Sequence, residues 1–383
     1  MLMSRKNILM ISNMYPSKKQ FTFGIFVKNL CEVFLESGVD VNLAVIAGRG
    51  SSIIGKLLKY ARFYITQSRK ILFCKYDLIY INYVLHSAPP VAILGGFIRV
   101  PIVINFHGDD LLHGSRATSL LLRLSDKVVG LASTIVVPSR YFARLVSQRY
   151  PGCDDRIFVY PSGGVDTAQI KRSSESEIIK LKSELGLEGK TILGYVSRID
   201  GGKGWDDLLR ALALMGADAQ NVHCLFIGDA SVMSDRTSKR NYSEIFSSLV
   251  GELGLGKMVT YLGKIPQEEL SKYYSLMDYF VFPTRLRESL GLVGLEAMAC
   301  GVPVIGSRIG GLEDYVKTGI NGYSFAPGKP EELRIAIMEA LSQEDKAKRR
   351  MSEECYKTVD AYERSKVGEM LISQILSSIS SRD

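Results

Sequence analysis

Short runs of β-branched and aromatic residues alternate with helical stretches along almost the whole chain, and this alternation constrains the fold more than any other feature. The first series is NILMIS (7–12), VNLAVI (41–46), DLIYIN (77–82), PIVINF (101–106), STIVVP (133–138) and IFVY (157–160). This is the rhythm of βαβ units, a parallel sheet with helices on both faces. After the polar patch KRSSESE (171–177) the rhythm restarts with TILGYVS (191–197), VHCLFIG (222–228), MVTYLG (258–263), DYFVFP (278–283) and VPVIGS (302–307), separated by helical stretches such as DDLLRALALM (206–215). A chain of 383 residues exceeds the roughly 250–300 at which single cores stop growing. The expected class is therefore α/β: two doubly wound Rossmann-like domains, over 1–168 and 169–362. The helical tail from about 342 to 381 is longer than the second domain needs, and residues 363–383 are expected to return to the first.

The composition, 46% apolar and 23% charged, is that of a soluble globular protein rather than a disordered or fibrous one. Six cysteines are scattered without CxxC spacing, which argues against zinc or a disulfide framework and fits a reducing cytoplasm. The start, MLMSRKNILMISNMYP, has too short an apolar run for a signal peptide. The stretch 84–106 is interrupted by three prolines, a Gly-Gly pair and Arg99, so it cannot be one spanning helix. Charge is uneven. Residues 1–160 hold 20 Lys and Arg against 9 Asp and Glu, net +11, whereas 161–383 hold 28 against 31, net −3. That asymmetry suggests an anionic partner for the first half.

In open α/β sheets, ligands bind beyond the carboxyl ends of the strands. Asn13, His107, Ser139, Arg198, Asp229 and Glu288 all fall there, and domains facing each other with these edges would gather them in one cleft. In YVSRIDGGKGWDDLLRAL (195–212), Arg198 ends a strand and Lys203 sits in a glycine-rich turn before a helix. A planar fork of donors, a mobile point charge and close backbone approach suit phosphate oxygens; a solvated turn with two surface cations is the alternative. In RESLGLVGLEAMACGVPVIGSRIGG (287–311), Glu288 and Glu296 stand in otherwise glycine, small or apolar surroundings. Buried acids are costly unless something donates to them. The expected helix starts near Leu292, so Glu296 lies one turn inside it and Glu288 on the loop before it. Free N–H groups at the helix start suit an anion, and a carboxylate at the depth of Glu296 can accept both ribose hydroxyls. Capping or salt bridging is the other reading.

With these residues in hand, the chain resembles the GT-B glycosyltransferases of retaining family 4. The resemblance covers most of the chain and is dense over 194–326: GYVSRIDGGKG, LFIGDA, YLGKIPQEELSKYYSLMDYFVFPT, the E-x7-E element from Glu288 to Glu296, and GVPVIGSRIGGLEDYVKTGINGYSF. In the first half SNMYPSKKQFTFGIFVKNL, NFHGDD, VPSRYF and YPSGGVD match more loosely. The resemblance implies two domains facing across a cleft and a sugar moved from a nucleotide-diphosphate sugar, of UDP or GDP type, to an acceptor. It implies that Arg198 and Lys203 hold the diphosphate, that Glu296 holds ribose, and that Glu288 is the acid at the donor sugar. Backbone amides of Leu290, Gly291 and Leu292 would approach phosphates and sugar. Gly24 corresponds to the glycine loop closing over the donor, and His107 to the histidine near the reacting sugar; a hydrogen-bonded structural histidine is the plainer reading of His107. His86, His113 and His223 are read as structural.

No D-x-D pair occurs, so leaving-group charge falls to Arg198, Lys203 and helix amides; neither a metal nor any cofactor is expected. The resemblance implies that anomeric configuration is retained, and since no carboxylate nucleophile is evident, a front-side displacement with the leaving phosphate as base is the working mechanism. The acceptor is the least determined part. Segment 56–72 places Lys56, Lys59, Arg62, Arg69 and Lys70 among Leu57, Leu58, Ala61, Ile65 and Leu72. A basic amphipathic helix of this kind either lies on an anionic membrane surface or packs its apolar face on the sheet. With the basic first half it points to a glycan or lipid-linked acceptor, as in bacterial surface polysaccharide synthesis, and to a cytoplasmic protein peripheral to the inner membrane face. The rival readings are a GT-B epimerase or phosphorylase, and a non-catalytic sugar-nucleotide-binding module. Nucleic acid is not an expected partner, since no stacking platform or motif accompanies the basic residues.

Overall fold

The apolar runs of the first half become six strands in the computed structural model, which describes residues 5–48, 52–108, 111, 119–230, 233–234 and 239–380. These are β1 (Asn7–Tyr15), β2 (Asp40–Ala47), β3 (Leu78–Asn82), β4 (Ile102–Asn105), β5 (Thr134–Val137) and β6 (Ile157–Val159), in the order β2-β1-β3-β4-β5-β6. Every pairing in this sheet is parallel. Because side chains alternate along a strand, Ile8 and Met10 enter one core with Phe34, Leu371 and Ile375. Leu9 and Ile11 enter the opposite core with Phe63, Val84, Val128 and Phe142. Burial on both faces explains why these strands read as continuous apolar runs.

The second half forms β7 (Thr191–Val196), β8 (Val222–Ile227), a two-residue antiparallel pair β9 (Met233–Ser234) and β10 (Lys239–Arg240), then β11 (Val259–Gly263), β12 (Tyr279–Phe282), β13 (Val304–Ser307) and β14 (Gly322–Phe325). Its six-stranded parallel sheet runs β11-β8-β7-β12-β13-β14. The last strand, GYSF, is short and glycine-led and stands apart from the β-branched rhythm. The two sheets are wound differently. In the first the order reverses between β1 and β3, as in flavodoxin-like sheets; in the second it reverses between β7 and β12, as in dinucleotide-binding sheets.

By contacts the chain divides into one unit of Met1–Gly163 with Ser365–Asp383 and another of Gly164–Arg364. The tail is two helices rather than one. Asp345–Asp360 buries Met351, Cys355 and Val359 in the second unit. The chain then pairs with the outgoing segment, Val165 N–H donating to Tyr362 O at 2.8 Å and Arg364 N–H to Val165 O at 2.9 Å. The last helix, Arg364–Ser380, returns to the first sheet, where Val367, Leu371 and Ile375 join the β1 core. Among the described residues no helix is long and apolar enough to cross a membrane.

Candidate functional site

In the second unit β7 and β12 are neighbours at the reversal of strand order, so the loops that leave them, from Ser197 and from Pro283, diverge where open α/β sheets form their ligand crevice. The first loop is shaped by Asp200, whose Oδ1 accepts from Gly202 N–H at 3.2 Å and whose carbonyl accepts from Trp205 Nε1 at 3.0 Å. That turn brings Lys203 across to the second loop. Lys203 Nζ donates to Glu288 Oε1 at 2.7 Å, and Thr284 Oγ1 donates to the same oxygen at 2.8 Å. The side chains of Lys203 and Glu288 are only 14% and 16% exposed, so the pair lies below the surface. Arg198 is placed otherwise: its side chain is 54% exposed and ion-pairs with Asp200 Oδ2 at 3.1 Å.

After Glu288 the loop enters the helix Leu292–Ala299 through Gly291, whose φ of 83° lies in the left-handed region that favours glycine. Tyr315 Oη donates to Gly291 O at 2.8 Å, and Gly311 N–H to Glu288 O at 2.8 Å. Leu290 is buried as a whole residue, so its backbone amide, expected to approach the phosphates, is covered along with its side chain. The first turn of the helix offers N–H groups that no helix carbonyl satisfies. One turn in, Glu296 is 8% exposed, and Tyr274 Oη donates to its Oε2 at 2.9 Å. Burial raises its carboxyl above the ordinary glutamate range in spite of that bond. The two acids thus differ in kind, Glu288 answering a cation and Glu296 a neutral phenol.

Two candidate residues of the first unit, Gly24 and His107, follow the ends of β1 and β4. His107 follows β4, and its Nε2 is 3.0 Å from Asn82 Oδ1 at the end of β3. Because Asn82 Oδ1 is an acceptor, the ring proton is assigned to Nε2. The ring stacks on Tyr83 at 4.7 Å and faces Phe26 at 4.7 Å. Burial among these groups pushes its pKa down to about 3, so the imidazole is neutral at physiological pH. Tyr83 itself holds φ 53°, ψ 69°, a conformation that costs a non-glycine residue of order 1–3 kcal/mol. Gly24, with φ 72°, opens the helix Ile25–Glu36; a Cβ there would stand 2.6 Å from Met14 C and 2.7 Å from Tyr15 N. Only glycine permits that approach to the end of β1.

The basic segment is the helix Ile53–Phe73, and its packing departs from expectation. Leu57, Leu58, Ile65 and Leu72, expected against the sheet in the packing alternative, are exposed, as are Ile53, Ile54 and Phe73. Its buried positions are Phe63 and Gln67, and both side-chain polar atoms of Gln67 are buried without a partner. Lys59 is tied inward, donating to Ala47 O and Gly48 O at 2.9 Å each. Lys56, Arg62 and Arg69 are exposed and Lys70 is half-buried. Of the remaining histidines, His223 on β8 bonds Thr260 Oγ1 of the neighbouring β11 at 2.9 Å, and the carbonyl of His86 accepts from Tyr64 Oη at 3.2 Å. His113, Asp109 and Asp110 lie outside the described residues.

Sequence reasoning passed over Thr284, Tyr274, Asn82 and Tyr83. Thr284 and Asn82 had a usable signal, each being a polar residue at or just past the end of an apolar strand run. Tyr274 had none, since it reaches Glu296 from a helix 22 residues earlier.

Residues 177–358 match the family model for glycosyl transferases group 1, and residues 24–169 that for glycosyltransferase family 4. The D-inositol 3-phosphate glycosyltransferase of Nocardia farcinica is 29% identical over 261 residues, covering 66% of this chain and 56% of that one. A GDP-mannose-dependent alpha-(1-6)-phosphatidylinositol monomannoside mannosyltransferase of Mycolicibacterium smegmatis is 28% identical over 272 residues, covering 68% and 67%. The matched segment thus spans about half to two thirds of these curated relatives' length. Among solved structures, an Anabaena protein in complex with UDP superposes with a TM-score of 0.74 at 22% identity, covering 97% of this chain and 100% of that one. Sucrose-phosphate synthase from Thermosynechococcus elongatus superposes with a TM-score of 0.76 at 21% identity, covering 99% and 100%. Two parallel sheets with their different strand orders, and two adjoining family models that together run from residue 24 to residue 358, lead to one assignment: the chain belongs to the group 1 glycosyltransferases of GT-B fold.

Proposed function

We propose that the protein transfers a sugar from a nucleotide-diphosphate sugar, of UDP or GDP type, to a glycan or lipid-linked acceptor, with retention of configuration and without a metal ion. The observation that carries this reading is the Lys203–Glu288 pair, set below the surface at the β7/β12 reversal point. A cation and an acid in one contact suit the junction of a diphosphate with its sugar: the ammonium faces phosphate oxygens, the carboxylate accepts from sugar hydroxyls. Glu296, one helical turn deeper, suits the ribose hydroxyls, and Arg198, exposed at the crevice mouth, suits the outer phosphate. Negative charge growing on the leaving diphosphate would be met by Lys203, Arg198 and the N–H groups at the start of Leu292–Ala299, a preorganised field that needs no metal. The departing phosphate oxygen then takes the acceptor proton in a front-side displacement. His107, neutral and held by Asn82, is suited to hydrogen-bond a sugar hydroxyl rather than to act as a base, and Gly24 to bring backbone close to the donor.

For the acceptor, the outward apolar residues of Ile53–Phe73 are interspersed with Lys56, Arg62 and Arg69, and the helix contains no Asp or Glu. Tyr60, Phe63, Tyr64 and Ile71 pack it on its own sheet, and the exposed Leu and Ile of its outward face suit the interface of an anionic membrane. The reading is therefore a cytoplasmic enzyme peripheral to the inner membrane face, acting on a lipid-linked glycan in surface polysaccharide synthesis. The similarity to enzymes named for inositol phosphate and phosphatidylinositol mannoside substrates fits a phosphorylated or lipid-linked acceptor. A thermal-shift panel of UDP-, GDP-, ADP- and dTDP-sugars tests the donor, because a ligand that binds the native state raises its melting temperature by mass action. A selective shift by one nucleotide names the donor; no shift with any of the four sinks the reading.

A further inference from the structure

None of the roles assigned above uses the charge cluster directly behind Lys203. Arg285 leaves β12 one residue after Thr284, and its guanidinium grips the first turn of the helix Trp205–Met215. Its Nε donates to Asp207 Oδ2 at 2.8 Å, and its Nη2 donates to Asp206 Oδ2 at 2.8 Å and to Asp207 Oδ1 at 2.5 Å. The Asp207 side chain is 4% exposed, and burial raises its carboxyl despite the guanidinium. Arg285 also donates its backbone N–H to Gly202 O at 2.9 Å, and a Cβ on Gly204 would stand 1.8 Å from Pro283 O. Around this fork the two loops of the crevice are zipped backbone to backbone.

The charges explain why the fork matters to an anion. Residues 198–207 and 283–288 carry Arg198, Lys203, Arg285 and Arg287 against Asp200, Asp206, Asp207 and Glu288, so this loop pair is formally neutral. A helix start beside a phosphate site ordinarily helps bind it, but here two aspartates occupy the first turn, three and four residues after Lys203. Without Arg285 the loop pair would be net negative, with a nearly buried acid unpaired next to where a diphosphate must settle. We infer that Arg285 is a positioning residue for the diphosphate: it neutralises Asp206 and Asp207 behind Lys203 and holds the two crevice loops in register. The inference rests on the donor reading of this crevice.

Calorimetry with UDP and GDP, and with uridine and guanosine as uncharged controls, tests it. Arg285→Met is expected to weaken the diphosphate that binds by about tenfold or more while leaving its nucleoside unchanged, the size expected of one charge lost at close range. Adding Asp206→Asn and Asp207→Asn to that variant is expected to restore most of the loss, because the repulsion goes with the acids. A merely structural tie would not be rescued in this way. Equal losses for nucleoside and diphosphate, or no recovery on removing the acids, would overturn the inference. Should Arg285→Met not fold by circular dichroism, Asp206→Asn in the otherwise native chain decides: a gain in diphosphate affinity supports the inference and no gain overturns it. Native protein that binds none of UDP, GDP, ADP or dTDP overturns the donor reading itself, before any variant is measured.

Discussion

The two units share an architecture and differ at the one place where such sheets bind ligands. At the β7/β12 reversal of the second unit the contacts are ionic: Lys203 with Glu288, Arg198 with Asp200, Arg285 with two aspartates. At the β1/β3 reversal of the first the contacts are aromatic and neutral: Asn82 holds a neutral His107 between Tyr83 and Phe26. The net charges run the other way, +11 over residues 1–160 and −3 over the rest. The lesson is that net charge over a domain says little about its binding crevice. In the first unit the surplus includes the exposed cations Lys56, Arg62 and Arg69 of Ile53–Phe73, whereas the second unit pairs a few cations with acids beyond the ends of β7 and β12.

The sharpest test of that contrast is Glu288→Gln. It frees Lys203 from its partner while removing an acceptor for sugar hydroxyls, so nucleotide affinity should hold or rise while turnover drops by about 10²–10³, the scale of losing one contact to the reacting centre. Unimpaired turnover would break the assignment. Next in size, Lys203→Ala should cost nucleoside-diphosphate binding roughly 1.5–3 kcal/mol, with nucleoside binding unchanged. Arg198→Ala should cost less, because the exposed guanidinium works in higher dielectric; calorimetry giving the opposite ranking would reverse their roles.

Each outward cation of the helix should be worth up to about 1 kcal/mol at an anionic bilayer, screened beyond a Debye length of about 8 Å. Co-sedimentation should therefore favour anionic over neutral vesicles, weaken with salt, and weaken again when Lys56, Arg62 and Arg69 become Gln. Indifference to lipid charge and salt would return the helix to a purely internal role. The acid response of His107 is confined to low pH. Its folded pKa, about 3, lies below the roughly 6.5 of a free imidazole, so the unfolded chain takes up the proton first. Stability should be lost as pH falls below about 6.5, down toward 3. His107→Gln should flatten that part of the melting-temperature profile; an unchanged slope would mean the ring is more open to water than its neighbours suggest.

Much of the fold was legible because the relevant signals are local. The apolar runs mark all six strands of the first sheet and five of the second, and the glycine, proline and small-residue pattern around 291–303 places Glu296 inside a helix and Glu288 outside it. Missed features involve residues far apart in the chain. Nothing near Lys203 announces an acid 85 residues later, and nothing near Glu296 announces Tyr274. The basic helix was legible as basic and amphipathic, but Leu57, Leu58, Ile65 and Leu72 recur at a spacing that serves equally well for facing the sheet or facing away.

The sequence by itself determined which segments are strands and helices, where the rhythm breaks into two series, and which residue types stand at strand ends, because period-2 and period-3.6 patterning, turn chemistry and charge are properties of neighbouring residues. Tertiary structure alone decided that the first sheet reverses at β1/β3 and the second at β7/β12, that Lys203 meets Glu288 while Arg198 meets Asp200, and that the helix Ile53–Phe73 turns Leu57, Leu58, Ile65 and Leu72 outward while Tyr60, Phe63, Tyr64 and Ile71 pack inward. Those outcomes depend on which strands pair and how helices rotate on a sheet, energies summed over contacts between distant segments that no local pattern encodes.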